Sequence, residues 1–244
     1  MSPSVINSIH DLFAEWNGNA PERIELLPQS GSDRRYFRVY GKDITVIATH
    51  GSNIAENEVF LYFSNHFAEK ELPVPKIYCH TENKSIYLQE DLGDNSLLNE
   101  LEKNGLTDNV YSLFRESLKQ LARLQITADQ GLDYAKCLTN REFGRQAILA
   151  DLLYFKYYFL DALRKPYDKQ KLIDDFEALS TYLTHTEYKF FMFRDFQSRN
   201  VMVRPDGNVF FIDYQGGMNG APHYDVASMI WQARANLPDE WKAS

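Results

Sequence analysis

Cysteine is nearly absent. Cys79 and Cys137 are the whole supply in 244 residues, too few for a disulfide framework or a zinc knuckle, and they read as reduced intracellular thiols. No apolar run approaches the roughly 18 residues that span a membrane, and a basic-then-apolar leader pattern is missing. The expectation is a cytoplasmic protein with no membrane partner. Positive charge is scarce too, with 26 Lys and Arg against 34 Asp and Glu and a net charge of −8. Such a balance does not coat nucleic acid, so no nucleic-acid partner is expected, although a local basic cluster can still grip phosphates. Repeats and low-complexity segments are also missing. What remains is 44% hydrophobic and 14% aromatic, ample for a packed core in one large domain or two small lobes.

The most informative stretch is 188–227. An apolar run at 190–193 turns polar at Arg194-Asp195, and Asn200 follows five residues after that carboxylate. Two β-rich runs, 201–203 and 209–212, flank Arg204-Pro205-Asp206-Gly207-Asn208, whose Pro and Asp-Gly are turn chemistry. The second run ends in Asp213, so the hairpin carries Asn200 and Asp213 towards one mouth beside Asp195. Phosphoryl transfer needs one carboxylate to orient the attacking hydroxyl, plus oxygen ligands for magnesium. Asp195 suits the first role; Asn200 and Asp213 suit the second.

The run R-D-F-Q-S-R-N followed by I-D-Y resembles the catalytic loop and metal-binding aspartate of the protein-kinase-like superfamily, and within it the aminoglycoside phosphotransferase family. That resemblance implies an α+β, two-lobed fold, with a small antiparallel sheet lobe over residues 1–90 and a mainly helical catalytic lobe over 91–244. It also implies ATP and Mg2+ in the cleft and a small-molecule hydroxyl acceptor. Phe193 stands where the family loop usually opens with His, and Tyr214-Gln215 follow the metal aspartate where protein kinases have Phe-Gly. The run Pro222-His223-Tyr224-Asp225-Val226-Ala227 resembles the family's buried aspartate at a helix start, which braces the catalytic loop.

Helical spacing predicts an amphipathic helix over 4–16, capped by Ser2 or Ser4, as a lid on the first lobe. Strands are predicted over 24–27, 36–40 and 44–49. Between the first two lie Ser30, Gly31, Ser32, Arg34 and Arg35, a small-residue loop whose N–H groups and guanidinia suit phosphates. The resemblance implies a phosphate-pairing lysine on the third strand, which has none, so either Arg34 or Arg35 supplies that charge from the loop or the chain binds nucleotide poorly. Arg-Arg-Tyr-Phe-Arg-Val beside a lysine-free strand looks like the bacterial kinases that phosphorylate cell-wall amino sugars at the anomeric hydroxyl, which implies an acceptor such as N-acetylmuramate or N-acetylglucosamine. A weakly active or inactive nucleotide-binding scaffold is the alternative.

A helix is predicted over 53–70 with Ile54, Val59, Phe60, Phe63 and Phe67 inside, and the resemblance implies that a glutamate of this helix, Glu56 or Glu58, pairs with an arginine in place of the strand lysine. Strands at 76–80 and 86–89 lead into Gln89, Glu90 and Asp91, which resemble the family's acidic hinge, where the backbone reads the adenine edge. A short turn is predicted over 97–103, and helices over 110–125 with Leu113, Leu118, Leu121, Ala122 and Leu124 buried, and over 167–183. The stretch 140–163, rich in Tyr and Phe, either is buried from several sides or partly faces a ligand, since sugars stack on aromatic rings, and the core is the expectation preferred. Only a short segment follows Asp225. The chain is read either as a compact member or as lacking downstream helices, with Met229, Ile230 and Trp231 left open to a missing segment or a protein partner.

Overall fold

The structure, a computed structural model, describes residues 3–28 and 33–243. Helix α1 (Pro3–Asn17) opens it, and Gly18 ends that helix with φ +73°. Ser4 lies inside the helix rather than at its cap, and Ser2 lies outside the described residues. Strands β1 (Arg23–Leu26), β2 (Arg35–Tyr40), β3 (Thr45–His50), β4 (Ile77–His80) and β5 (Ile86–Glu90) form one antiparallel sheet ordered β1-β2-β3-β5-β4. Helix α2 (Ile54–Ala68) crosses between β3 and β4, its first turn capped by the Asn53 side chain.

Strand alternation divides the sheet into two faces. Phe37, Val39, Val46, Ala48, Ile86 and Leu88 meet Ile9, Leu12 and Phe13 of α1, which lies over the sheet as expected. On the other face, Tyr87 joins a larger core with Val59, Phe60, Phe63 and Phe67 of α2. Phe60 stacks on Tyr87 at 5.3 Å and on Tyr214 at 4.9 Å. One ring thus joins the sheet to the segment carrying Asp213. Each fully buried Phe contributes about 1.5–3 kcal/mol.

The rest is mostly helical: α3 (Leu97–Asn104), α4 (Asp108–Asp129), α5 (Arg145–Phe155), α6 (Lys169–Thr184), α7 (His223–Ile230) and α8 (Asp239–Ala243). Ser96 and Asn99 form a capping box at α3, and Thr107 caps α4. Two small antiparallel pairs complete the fold. Strand β6 (Phe190–Met192) pairs with β9 (Met218–Gly220), while β7 (Val201–Val203) and β8 (Val209–Phe211) form the predicted hairpin, turning at Gly207 with φ +84°. Gly217 admits no side chain, because a β-carbon there would lie 2.3 Å from the Phe191 ring.

Several expectations fail. Ile54 is exposed, since it begins α2 on the solvent side. Ala122 is exposed because one step from buried Leu121 turns the side chain about 100° away from the core. The larger miss is the aromatic stretch. Tyr154, Phe155, Tyr157, Tyr158 and Phe159 are all exposed, Tyr158 by 70%. Helix α5 runs into a π-helical turn (Lys156–Leu160), and α5 buries only Ala147 and Ile148. These rings pair locally at helical spacing instead, Tyr154 with Tyr158 at 4.4 Å and Phe155 with Phe159 at 5.2 Å. Met229, expected to be open, is fully buried, whereas Trp231 is 67% exposed.

Candidate active site

The loop after β6 is shaped by a buried carboxylate. Asp225, third residue of α7 and fully buried, accepts the backbone N–H of Phe193 at 2.7 Å and of Arg194 at 2.9 Å. Gln125 of α4 donates to the same carboxylate at 2.7 Å. Burial pushes the Asp225 carboxyl up to about 6, against the pull of those donors. Arg194 sits at φ +83°, a sparsely populated region for a residue with a side chain, and is held there from two sides. Asp225 grips its N–H, and Asp151 of α5 takes its guanidinium in a bidentate pair at 2.7 and 2.9 Å. The bracing aspartate inferred from the sequence is therefore in place.

Next along the loop, Asp195 is half-buried. Gln197 donates to its Oδ1 at 2.7 Å, and Asn200 and Arg199 donate to its Oδ2 at 3.1 and 3.0 Å. Asn200 also donates to the Asp195 main-chain carbonyl at 2.9 Å. With its amide nitrogen spent on those bonds, Asn200 keeps Oδ1 for a cation. The backbone ties the hairpin's far strand to this point, because Ile212 N–H donates to the Asn200 carbonyl at 3.0 Å, one residue before Asp213. Asp213 has φ +70°, and its Oδ1 accepts from Gln215 Nε2 at 2.7 Å. An amide oxygen and a carboxylate are the hard donors magnesium takes. Among the described residues no cluster of three or more His, Cys, Asp or Glu gathers as a metal site. Asn200 Oδ1 and the Asp213 carboxylate are the oxygen atoms here that could hold such an ion.

Phe193, just before Arg194, is held by packing. Its ring is fully buried and meets Phe196, Phe211 and Tyr214 edge-on at 5.2–6.1 Å.

The phosphate-binding expectations separate. Ser30, Gly31 and Ser32 lie outside the described residues. Arg34 is buried and pairs with Glu56 of α2 at 3.2 Å, while Arg35 is exposed. Glu58 pairs instead with Lys84 on the surface. Of the four residues left open by the sequence, Arg34 and Glu56 form the internal pair.

At the connection between sheet and helices, side chains are committed to structure. Gln89 is buried and donates to Thr49 Oγ1 at 3.0 Å. Glu90 pairs with Arg204, whose guanidinium lies 4.1 Å over Phe210. Asp91 and Asp94 together receive Arg38 of β2, with N–O distances of 2.7–3.1 Å. Sequence reasoning missed Gln125 and Asp151, lone polar residues that only a long-range partner reveals, and it named the run holding Arg38 and the position of Gln215 without their partners.

The sequence matches the family model APH, described as the phosphotransferase enzyme family, over residues 23–244. The chain belongs to this family, and it is a small-molecule phosphotransferase with an alcohol group as acceptor. No curated protein matches it. Among solved structures it resembles choline kinase LicA from Streptococcus pneumoniae, with TM-score 0.67 and 12% identity over 98% of this chain and 78% of that one. It also resembles a choline/ethanolamine kinase family protein from Mesorhizobium loti, with TM-score 0.65 and 9% identity over 98% and 73%. A third likeness is to a thermostable mutant of aminoglycoside phosphotransferase APH(4)-Ia in ternary complex with ADP and hygromycin B, with TM-score 0.58 and 17% identity over 91% and 75%. The two-lobed kinase-like fold is thereby shared. Among the described residues no helix is long and apolar enough to cross a membrane.

Proposed function

We propose that the protein transfers the γ-phosphoryl group of ATP to a hydroxyl of an amino sugar, in a cytoplasmic setting, with the lobes meeting near residue 90. The observation that carries the reading is the meeting of Asp195 and Asn200, hydrogen-bonded to each other, at the hairpin end from which Asp213 projects.

Asp195 orients the acceptor hydroxyl and accepts its proton as the acceptor oxygen bonds to phosphorus and the bond to ADP breaks. Gln197, Arg199 and Asn200 fix the rotamer of that carboxylate. Asn200 Oδ1 and Asp213 would hold magnesium, which when bound offsets the charge of the phosphates. Arg34, steadied by Glu56, provides the charge that β3 lacks. The adenine edge is read by backbone at 89–91, because the side chains there are occupied.

Support for ATP comes from the family and from the ADP complex of the APH(4)-Ia neighbour. The amino-sugar acceptor rests on the Arg-Arg-Tyr-Phe-Arg-Val run beside a lysine-free strand. The test is ADP release with Mg-ATP against N-acetylmuramate, N-acetylglucosamine, choline and an aminoglycoside. Turnover with an amino sugar, yielding the 1-phosphate, is expected. Turnover with choline or an aminoglycoside alone would overturn the acceptor, and nucleotide binding without turnover on any acceptor would favour the scaffold alternative.

A further inference from the structure

Helix α2 presents three side chains at four-residue spacing, Glu56, Phe60 and Ser64, and all three touch the segment just after Asp213. Ser64 Oγ lies 2.6 Å from the Tyr214 hydroxyl, Phe60 stacks on the Tyr214 ring at 4.9 Å, and Glu56 Oε1 accepts from Gln215 Nε2 at 3.2 Å. The same Nε2 donates to Asp213 Oδ1 at 2.7 Å. Gln215 is buried, with 9% exposure, and both hydrogens of its amide nitrogen have a carboxylate partner.

The chemistry of that contact is specific. Two carboxylates drawn towards one point repel, and burial raises the cost. A neutral amide that gives one N–H to each satisfies both without adding charge. Asp213 keeps Oδ2 free of protein donors among the described residues, and Glu56 still faces Arg34 at 3.2 Å. A glutamate of the same length would bring a third negative charge, and an apolar residue would leave both carboxylates short of a donor.

We infer that Gln215 is a positioning residue that yokes the metal-binding carboxylate of Asp213 to the Glu56–Arg34 pair, so that the metal and phosphate subsites form as one unit. This deepens the kinase reading above and rests on it.

The test is ADP binding to the full chain, titrated with Mg2+ by calorimetry, alongside kcat and KM at several Mg2+ concentrations. Gln215→Met, close in volume but without donors, should raise the Mg2+ needed for half-maximal ADP binding by about tenfold, the usual scale for losing a partner that orients a ligand. Its kcat should recover at saturating Mg2+, which a general packing defect would not allow. Gln215→Glu should be worse than Gln215→Met. Combined with Glu56→Gln, the Gln215→Met effect should shrink, because the two changes remove one shared contact. If Gln215→Met does not fold, Gln215→Asn, one methylene too short to span both carboxylates, is read in the same titration. A wild-type Mg2+ dependence in the soluble variant, or strict additivity with Glu56→Gln, overturns the yoke. Wild-type protein whose ADP binding ignores Mg2+ would instead sink the underlying metal assignment.

Discussion

Arg34 and Glu56 face each other at 3.2 Å, one from the residue before β2 and the other from the first turn of α2. With Arg34 only 4% exposed, a guanidinium at that place is built into the interior. Arg34→Met is expected to weaken ADP binding about tenfold or more, since a hydrogen bond to a charged group contributes about 1.5–3 kcal/mol. Arg35→Met, on the exposed neighbour, should change it less than about twofold by the weak worth of exposed charges. Calorimetric Kd values for the two variants decide the matter, and a larger effect from Arg35 would reassign the role.

Asp195→Asn keeps the shape of the loop while removing the carboxylate proposed as the proton acceptor. Turnover should fall by at least about a hundredfold, the scale of a lost general base. ADP affinity should stay near wild type. Steady-state rates with the identified acceptor provide the check, and unimpaired turnover would take Asp195 out of the mechanism.

Asp225 makes stability depend on pH in an unusual direction. Burial lifts its carboxyl from an ordinary 3.8 to about 6, despite the N–H groups of Phe193 and Arg194 and the Gln125 amide. A raised pKa in the folded state means that the native protein binds more protons than the unfolded chain between those values. The stability contributed is complete below about 3.8 and is lost as pH rises through about 6. Relative to Asp225→Asn, which does not titrate, the melting temperature of wild type should fall as pH rises from 4.5 to 7.5 (about the range over which the carboxyl changes state). A wild-type advantage that grows with pH would mean that the donors, rather than burial, govern the charge.

Phe193 anchors the start of the loop by packing alone. Its ring is fully buried among Phe196, Phe211 and Tyr214. Phe193→Ala should cost about 3–5 kcal/mol, as removal of a core aromatic usually does. Urea unfolding gives the number, and a loss under about 1 kcal/mol would show a site able to collapse.

The Arg38 clamp holds the strand-to-helix connection with unequal partners. Asp91 is 13% exposed and Asp94 is 77% exposed at the side chain. Asp91→Asn should therefore cost clearly more than Asp94→Asn, whose effect should stay within about 1 kcal/mol and shrink in added salt. Equal losses at low and high salt would contradict this ranking.

The hairpin with Asn200 and Asp213 was legible because its signals are local. Pro205 and Asp206-Gly207 mark the turn, and strand alternation sets which residues reach the mouth. The bracing role of Asp225 was legible only by family resemblance. The exposure of Tyr154, Tyr157 and Tyr158 was not legible, because aromatic richness reports apolar area and is silent on which neighbour covers it.

By itself the sequence settled the spacing of Asp195, Asn200 and Asp213 and the hairpin between the last two, since those depend on local turn chemistry, while the class of fold came from the family resemblance that the same residues carry. The choice of Arg34 over Arg35 and of Glu56 over Glu58, the burial of Phe193 and the bridge made by Gln215 came only with the tertiary structure. Gln215 and Glu56 are 159 residues apart in the chain. Contacts at that range depend on how α2 seats against the hairpin, and Arg34, just before β2, turns inward where Arg35, the first residue of β2, turns outward.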